Sequence, residues 1–314
     1  MTFYNHGAVF EMLQPAEWIE AMEEAVRISP DYDRCMLKRQ HIDRGENTFL
    51  IMPCIDERYW VTKLVSFCPE NRKLGKPSIC GTVVLNDSRT GELLAIMDGP
   101  AITALRTAAV SAVGIKYLSP EKASSLGLVG AGIQGLQQAR FACQVRNIEQ
   151  ITVYDISRTA LRNFMDRAAE EMPGVPVTAA GDATEVCFRS EIIITATNAV
   201  HPVFPEQEGL LHGKTVVAIG SYKPMNRELP VDLFTQIDRV FIDTSHGITE
   251  SGDLMYPVKE GLIREADMHP LGDLLSGQVG PGHSPTRLFK TTGSAVYDLY
   301  AAVLVYEKGK SMGK

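Results

Sequence analysis

Residues 126–135 read LGLVGAGIQG, and Asp155 stands 20 residues past the last glycine of that stretch. An apolar run, 126–129, leads into Gly130, Gly132 and Gly135, which have Gly-x-Gly-x-x-Gly spacing. Gly130 permits a tight turn. The missing side chain at Gly132 lets backbone approach a pyrophosphate, and Gly135 lets the next helix close on its strand. N–H groups at the helix start, around Ala131, Ile133 and Gln134, would then face the phosphates. Glycine-rich loops recur by chance, so the flanking sequence decides. Residues 136–145 carry helical apolar spacing at Leu136, Ala139, Ala142 and Cys143, and 150–155 (QITVYD) alternate as a β-branched strand ending on the acid. Strand, glycine turn, helix, strand and acid make one βαβ unit of about 30 residues, which predicts a Rossmann-type α/β fold.

The acid also bears on the cofactor. A carboxylate at the end of the second strand accepts from a ribose 2′-hydroxyl and repels a 2′-phosphate, so Asp155 favours NAD(H). Arg158, three residues on, could pair with a phosphate and leaves NADP(H) open. The expected cofactor contacts are Gly130, Ala131, Gly132, Ile133, Gln134, Gly135, Asp155, Ser157 and Arg158, with Thr197, Asn198 and Ser221 after later strands.

The helix–strand alternation continues downstream. Residues 159–172 read as helix, and 175–179, 191–197 (EIIITAT), 215–220 and 239–244 as strands, which predicts a parallel, doubly wound sheet. Residues 250–284, rich in glycine and proline, read as short helices and loops. Upstream, about 120 residues must form something else. Residues 15–27 read as an amphipathic helix with Trp18, Ile19, Met22, Ala25 and Val26 as its stripe. Residues 36–42, 48–52, 59–67, 79–86 and 93–97 read as strands, the last two as a hairpin, and 102–118 as an alanine-rich helix stopped at Ser119 and Pro120. Residues 294–307 form a final apolar helix expected to pack back on this mixed α+β part. The expected domains are therefore 1–120 with 293–314, and 121–292.

Composition narrows the function. The net charge of −7, without a basic cluster beyond the short tail 308–314, leaves no electrostatic footprint for nucleic acid. The six cysteines, at 35, 54, 68, 80, 143 and 187, include no Cys-x-x-Cys pair and point away from zinc and from a disulfide framework. With no signal peptide in view, they suggest a reducing cytoplasm. No apolar run is expected to approach the roughly 20 residues that span a bilayer.

Three cations stand in apolar or strand-like surroundings: Arg39, Lys63 and Arg106. Buried cations are costly without a partner anion. Lys63 shares a strand face with Val61 and Val65, and Arg106 lies in a helix of small and apolar residues. A lysine snorkelling at a sheet edge, an arginine capping a loop and an exposed Arg39 are the plain alternatives. Together the three would make a carboxylate clamp with a nearby amine, suited to an amino or imino acid. Desolvation and two arginines would lower the pKa of Lys63 and fit it for proton transfer.

The same residues carry a resemblance. Residues 97–112 (MDGPAITALRTAAVSA), 62–67 (TKLVSF), 130–135, and Gly220 with Arg227, Glu228 and Leu229 resemble the ornithine cyclodeaminase and mu-crystallin family along essentially the whole chain. The resemblance implies a homodimer joined through the N-terminal domain and last helix, with a nicotinamide site in the cleft between domains. It also implies that Arg39 and Arg106 bind the substrate α-carboxylate, and that Lys63 contacts substrate or moves a proton. Cyclodeaminases carry an aspartate in the loop after the fifth strand, where this chain has Ser221 and Tyr222 (GSYKPMNREL); Tyr222 is the candidate catalytic residue there. The loop resembles the ketimine reductase branch.

The expected activity is hydride transfer from NAD(P)H to the C=N carbon of a small 2-imino acid, formed from a 2-oxo acid or cyclic, or the reverse amino-acid dehydrogenation. The alternatives are cyclodeamination of ornithine to proline and ammonia, with NAD recycled, and non-catalytic NAD(P)H binding.

Overall fold

The computed structural model describes residues 1–35 and 38–313. It divides into two compact units, Met1–Arg106 with Gly293–Lys314, and Thr107–Thr292. The first is built on a six-stranded sheet. In chain order it contains β1 (Thr2–Tyr4), α1 (His6–Glu11), α2 (Pro15–Cys35), β2 (Gln40–Arg44), β3 (Asn47–Ile55), β4 (Tyr59–Phe67), β5 (Ile79–Asp87) and β6 (Leu93–Asp98), and the chain then enters α3 (Gly99–Leu118). The sheet order is β1-β6-β5-β4-β3-β2, antiparallel except for β1 beside β6. The strand expected at 36–42 is displaced: Met36 and Leu37 lie outside the described residues, and β2 begins at Gln40, just after Arg39. The helix expected at 15–27 is α2, which runs on past Pro30 to Cys35.

The second unit is the nucleotide-type fold. After α3 come β7 (Ser125–Val129), α4 (Ile133–Val145), β8 (Gln150–Tyr154), α5 (Arg158–Glu171), β9 (Val177–Ala179), α6 (Ala183–Phe188), β10 (Ile192–Thr195), β11 (Thr215–Ala218), α7 (Val231–Thr235), β12 (Val240–Ile242), α8 (Gly247–Glu250), α9 (Gly252–Lys259), β13 (Met268–Pro270), α10 (Leu271–Leu275) and β14 (Arg287–Lys290). Eight parallel strands lie in the order β13-β12-β14-β11-β10-β7-β8-β9. The order reverses between β7 and β10, so the crevice for a ligand opens beyond their carboxyl ends. The strands β7, β10 and β11 are buried along their whole length, as a sheet covered on both faces requires. In this unit two strands escape the sequence reading, as β1 does in the first: β13 lies inside the stretch read as helices and loops, and β14 follows it. Asp155 falls one residue past β8 rather than on it.

The last helix, α11 (Ala295–Ser311), packs against α2, β3, β4 and β5. Gly309 permits this approach, because a Cβ there would stand 2.1 Å from the Tyr4 hydroxyl. One sequence expectation needs correction: α3, at 20 residues and mean hydropathy 1.2, has the length and composition of a bilayer span. Its apolar surface is used otherwise, since 83% of that window is buried inside the protein.

Candidate functional site

The glycine turn is built for close approach. Gly130 has φ +109° and lies so near the end of β10 that a Cβ would meet the Ala196 carbonyl oxygen at 2.5 Å. A Cβ on Gly135 would sit 2.1 Å from the Gly130 oxygen, which ties the start of α4 to its strand. Gly132 is different: a Cβ there would meet nothing within 4 Å. Space is thus left in front of the α4 N-terminus, where Gly132 is the N-cap and makes no side-chain cap bond. An anion fits there, because the first helical N–H groups and the positive end of the helix converge on it. These residues suit a dinucleotide pyrophosphate.

Asp155 braces that turn. Its Oδ2 accepts from Ala131 N at 2.8 Å and its Oδ1 from Ser157 N at 2.7 Å. Each oxygen keeps a second lone pair for a ribose hydroxyl. Ser157 caps α5 by accepting from Ala160 N at 3.2 Å, and Arg158 is exposed at the first turn. Ile133 and Asn198 are exposed, Gln134 and Thr197 half-buried, and Ala131 is buried.

Beneath the carboxyl ends of β10 and β11 lies a polar cluster that sequence reasoning missed. The fully buried Glu228 accepts four bonds, two per oxygen: Oε1 from Thr197 N (2.6 Å) and Thr197 Oγ1 (2.8 Å), Oε2 from Gly220 N (2.7 Å) and Thr195 Oγ1 (2.9 Å). Asp253 Oδ1 accepts from the backbone N–H of Glu228 and Leu229, and its Oδ2 pairs with the buried Lys290 at 3.1 Å. Burial pushes the Glu228 carboxyl up, while Lys290 and the Thr197 bonds oppose the shift. The Ser221 hydroxyl, also fully buried, donates to the Asn226 carbonyl and lies 3.1 Å from Ser251 Oγ, which itself donates to the Ser221 carbonyl at 2.8 Å, so the hydroxyl is not free to donate to a cofactor. Tyr222 is half-buried, with the Lys223 ammonium 5.9 Å from its ring centre.

The other unit gathers the three cations. Lys63 is 2% exposed on β4, between β3 and β5, so it is not an edge lysine. Its Nζ donates to Asp298 Oδ1 at 2.9 Å and stands 2.8 Å from Oδ2. Arg106 Nε lies 3.2 Å from the same Oδ1. Its Nη1 and Nη2 edge faces Gly293, where φ is +84° and a Cβ would come within 3.0 Å of Nη2 and 3.1 Å of Nη1. Arg39, half-buried, donates through Nη2 to the Gly293 carbonyl at 3.0 Å. Burial, first of all, pushes the Lys63 ammonium down to about 8, helped by Arg106 and Arg39 and opposed by Asp298. Asp298 and Gly293 were missed in the sequence. The available signal is Asp298 itself, the one acid in the otherwise apolar stretch 294–306.

A parallel doubly wound sheet with a glycine turn and a bracing acid defines a Rossmann-type dinucleotide-binding α/β protein. The chain belongs to the ornithine cyclodeaminase/mu-crystallin family, whose sequence profile matches residues 4–313. It is 37% identical over 276 residues to the Delta(1)-pyrroline-2-carboxylate reductase of Bacillus cereus, covering 85% of this chain and 83% of that one. The structure of Thermococcus litoralis Delta(1)-pyrroline-2-carboxylate reductase with NADH and L-proline superposes with TM-score 0.92 at 32% identity, covering 100% of this chain and 98% of that one. An archaeal alanine dehydrogenase dimer with bound NAD gives TM-score 0.91 at 25% identity, with 99% and 97% covered.

Proposed function

We propose that this chain is an NADH-dependent imine reductase that converts a small 2-imino acid, cyclic ones such as Delta(1)-pyrroline-2-carboxylate included, to the amino acid. The observation that carries the reading is the buried Lys63–Asp298–Arg106 cluster, which presents cations to an anionic, nitrogen-bearing substrate. Bound at the glycine turn and Asp155, NADH supplies the hydride. Arg106 holds the substrate carboxylate through Nη1 and Nη2, its Nε being turned to Asp298, and Arg39 adds a second guanidinium. The Lys63 ammonium has three N–H bonds, of which Asp298 Oδ1 takes one, so a donor remains for the substrate nitrogen. Lys63 gives its proton there as the neighbouring carbon is reduced. Reduction is favoured over cyclodeamination by the loop at 220–229, which offers Ser221 and Tyr222 and no carboxylate before the buried Glu228. Tyr222 stays a candidate for contact with substrate.

The test is loss of NADH absorbance with Delta(1)-pyrroline-2-carboxylate, with pyruvate plus ammonia, and with ornithine. Turnover with an imine and none with ornithine is expected; proline and ammonia from ornithine without net NADH change would overturn the assignment. Lys63→Met should abolish turnover and leave NADH affinity in place.

We further propose a homodimer in the cytoplasm. One face of the first unit's sheet exposes Ile42, Phe49, Ile55, Trp60 and Leu64, a run of apolar surface that a partner would cover. Cys54, Cys68, Cys80, Cys143 and Cys187 are free, in keeping with a reducing compartment.

A further inference from the structure

Lys63 and Arg106 have been assigned work, but the group that joins them has not. Asp298 has no solvent exposure, and it is held by both cations at once. The charged groups that face Lys63 among the described residues are Asp298 from α11, Arg106 from α3 and Arg39 ahead of β2. Met52 on β3 and Val83 on β5 flank it in register and carry no charge. Cys54, also on β3, faces Asp298, and burial pushes its thiol up to about 12, so it stays neutral. Asp298 is the anion of this set. Without it, a desolvated ammonium would lie beside two guanidiniums, and both burial and repulsion would drive off its proton.

We infer that Asp298 is a positioning residue for the reaction: it fixes the Lys63 ammonium in one orientation and keeps it charged until the substrate nitrogen takes the proton. This rests on the imine-reductase reading above. The step balances: the C=N carbon gains a hydride from NADH, the nitrogen gains a proton from Lys63 Nζ, and Lys63 is left as a neutral amine that solvent reprotonates. Asp298 loses nothing in the cycle. When Lys63 is neutral, Arg106 still pairs with the carboxylate, so the buried anion is never left alone.

The experiment is the pH dependence of kcat/KM for imine reduction in the unaltered protein, Lys63→Met, Asp298→Asn and Asp298→Glu. In the unaltered protein activity should fall as pH rises through about 8, where Lys63 loses its proton. Asp298→Asn removes the influence that holds that pKa up, so this limb should move down by about one pH unit or more, a loss of roughly fivefold or more at pH 8 that shrinks toward pH 6. NADH affinity should not change, and Asp298→Glu should return the limb most of the way. A loss by the same factor at every pH, with the limb unmoved, is what a merely structural aspartate gives, and it overturns the inference. Normal turnover by Lys63→Met would instead overturn the reading beneath it, whatever Asp298→Asn does. Should Asp298→Asn fail to fold, the unaltered protein labelled with 13C at lysine Cε and aspartate Cγ decides. The two signals, assigned by their loss in Lys63→Met and Asp298→Glu, should share one inflection; an Asp298 signal flat through the Lys63 titration overturns the inference.

Discussion

Glu228→Gln is the sharpest probe of the second unit, because the substitution keeps size and shape and changes only which atoms accept. Each Glu228 oxygen now accepts one backbone N–H and one hydroxyl, from Thr197 N and Thr197 Oγ1, and from Gly220 N and Thr195 Oγ1. A glutamine must place its NH2 group at one of these two positions. The hydroxyl there can rotate and accept, but the backbone N–H cannot, so either Thr197 N or Gly220 N is left without an acceptor and faces another donor. An orphaned buried donor costs about 1–3 kcal/mol, and the bonds that remain lose the strengthening a charge gives them. Part of this is offset, because a neutral amide is not penalised for burial as the carboxylate is. The net loss should be about 2 kcal/mol, which for a unit spanning residues 107–292 lowers Tm by roughly 4–8 °C. Thermal unfolding followed by far-UV circular dichroism measures it. The ends of β10 and β11 are tied by these bonds, so NADH affinity, measured by fluorescence titration, should weaken as well. A Tm within about 1 °C of the unaltered protein would mean that Glu228 is already protonated, and would refute the four-donor account.

The remaining predictions separate fold from binding. Gly132→Ala should leave Tm unchanged and weaken NADH binding about tenfold or more, since only a ligand would fill the space over that atom, whereas Gly135→Ala should lower both, because its methyl meets the Gly130 oxygen at 2.1 Å; equal Tm losses in the two variants would contradict this. Gly293→Ala forces a side chain into a positive-φ position against the Arg106 guanidinium, so KM for the imino acid should rise while NADH affinity holds; an unchanged KM would argue against Arg106 as the carboxylate ligand. Arg146 donates to the carbonyls of Ile115, Lys116, Ser119, Pro120 and Val145 and so closes the C-terminus of α3. Arg146→Ala should lose about 2–4 kcal/mol by urea unfolding, and Arg146→Lys should recover little, because one ammonium has three donors and no planar fork.

How much of this was legible in the residues differs from element to element. The strand β4 was read with its observed bounds, and the glycine turn, α4 and β8 nearly so, because periodicity and spacing act over neighbouring residues. The short strands β1, β13 and β14, of three or four residues, carry too few positions to show a period and are strands only because a neighbouring strand supplies their hydrogen bonds. The cost of burying charge, a property each residue has by itself, groups Arg39, Lys63 and Arg106. Their partner could not be found in that way. Asp298 lies 235 positions from Lys63 along the chain, and nothing local marks it except its isolation in an apolar helix. Glu228, Asp253 and Lys290 are likewise distant in sequence and meet only when the ends of the parallel strands come together. The βαβ unit, the family and the cations that need a partner are all written in the order of residues. Which carboxylate each cation meets, and how many donors that carboxylate must satisfy, follows from folding alone, because ion pairing and burial depend on distances in space that the order of residues does not contain.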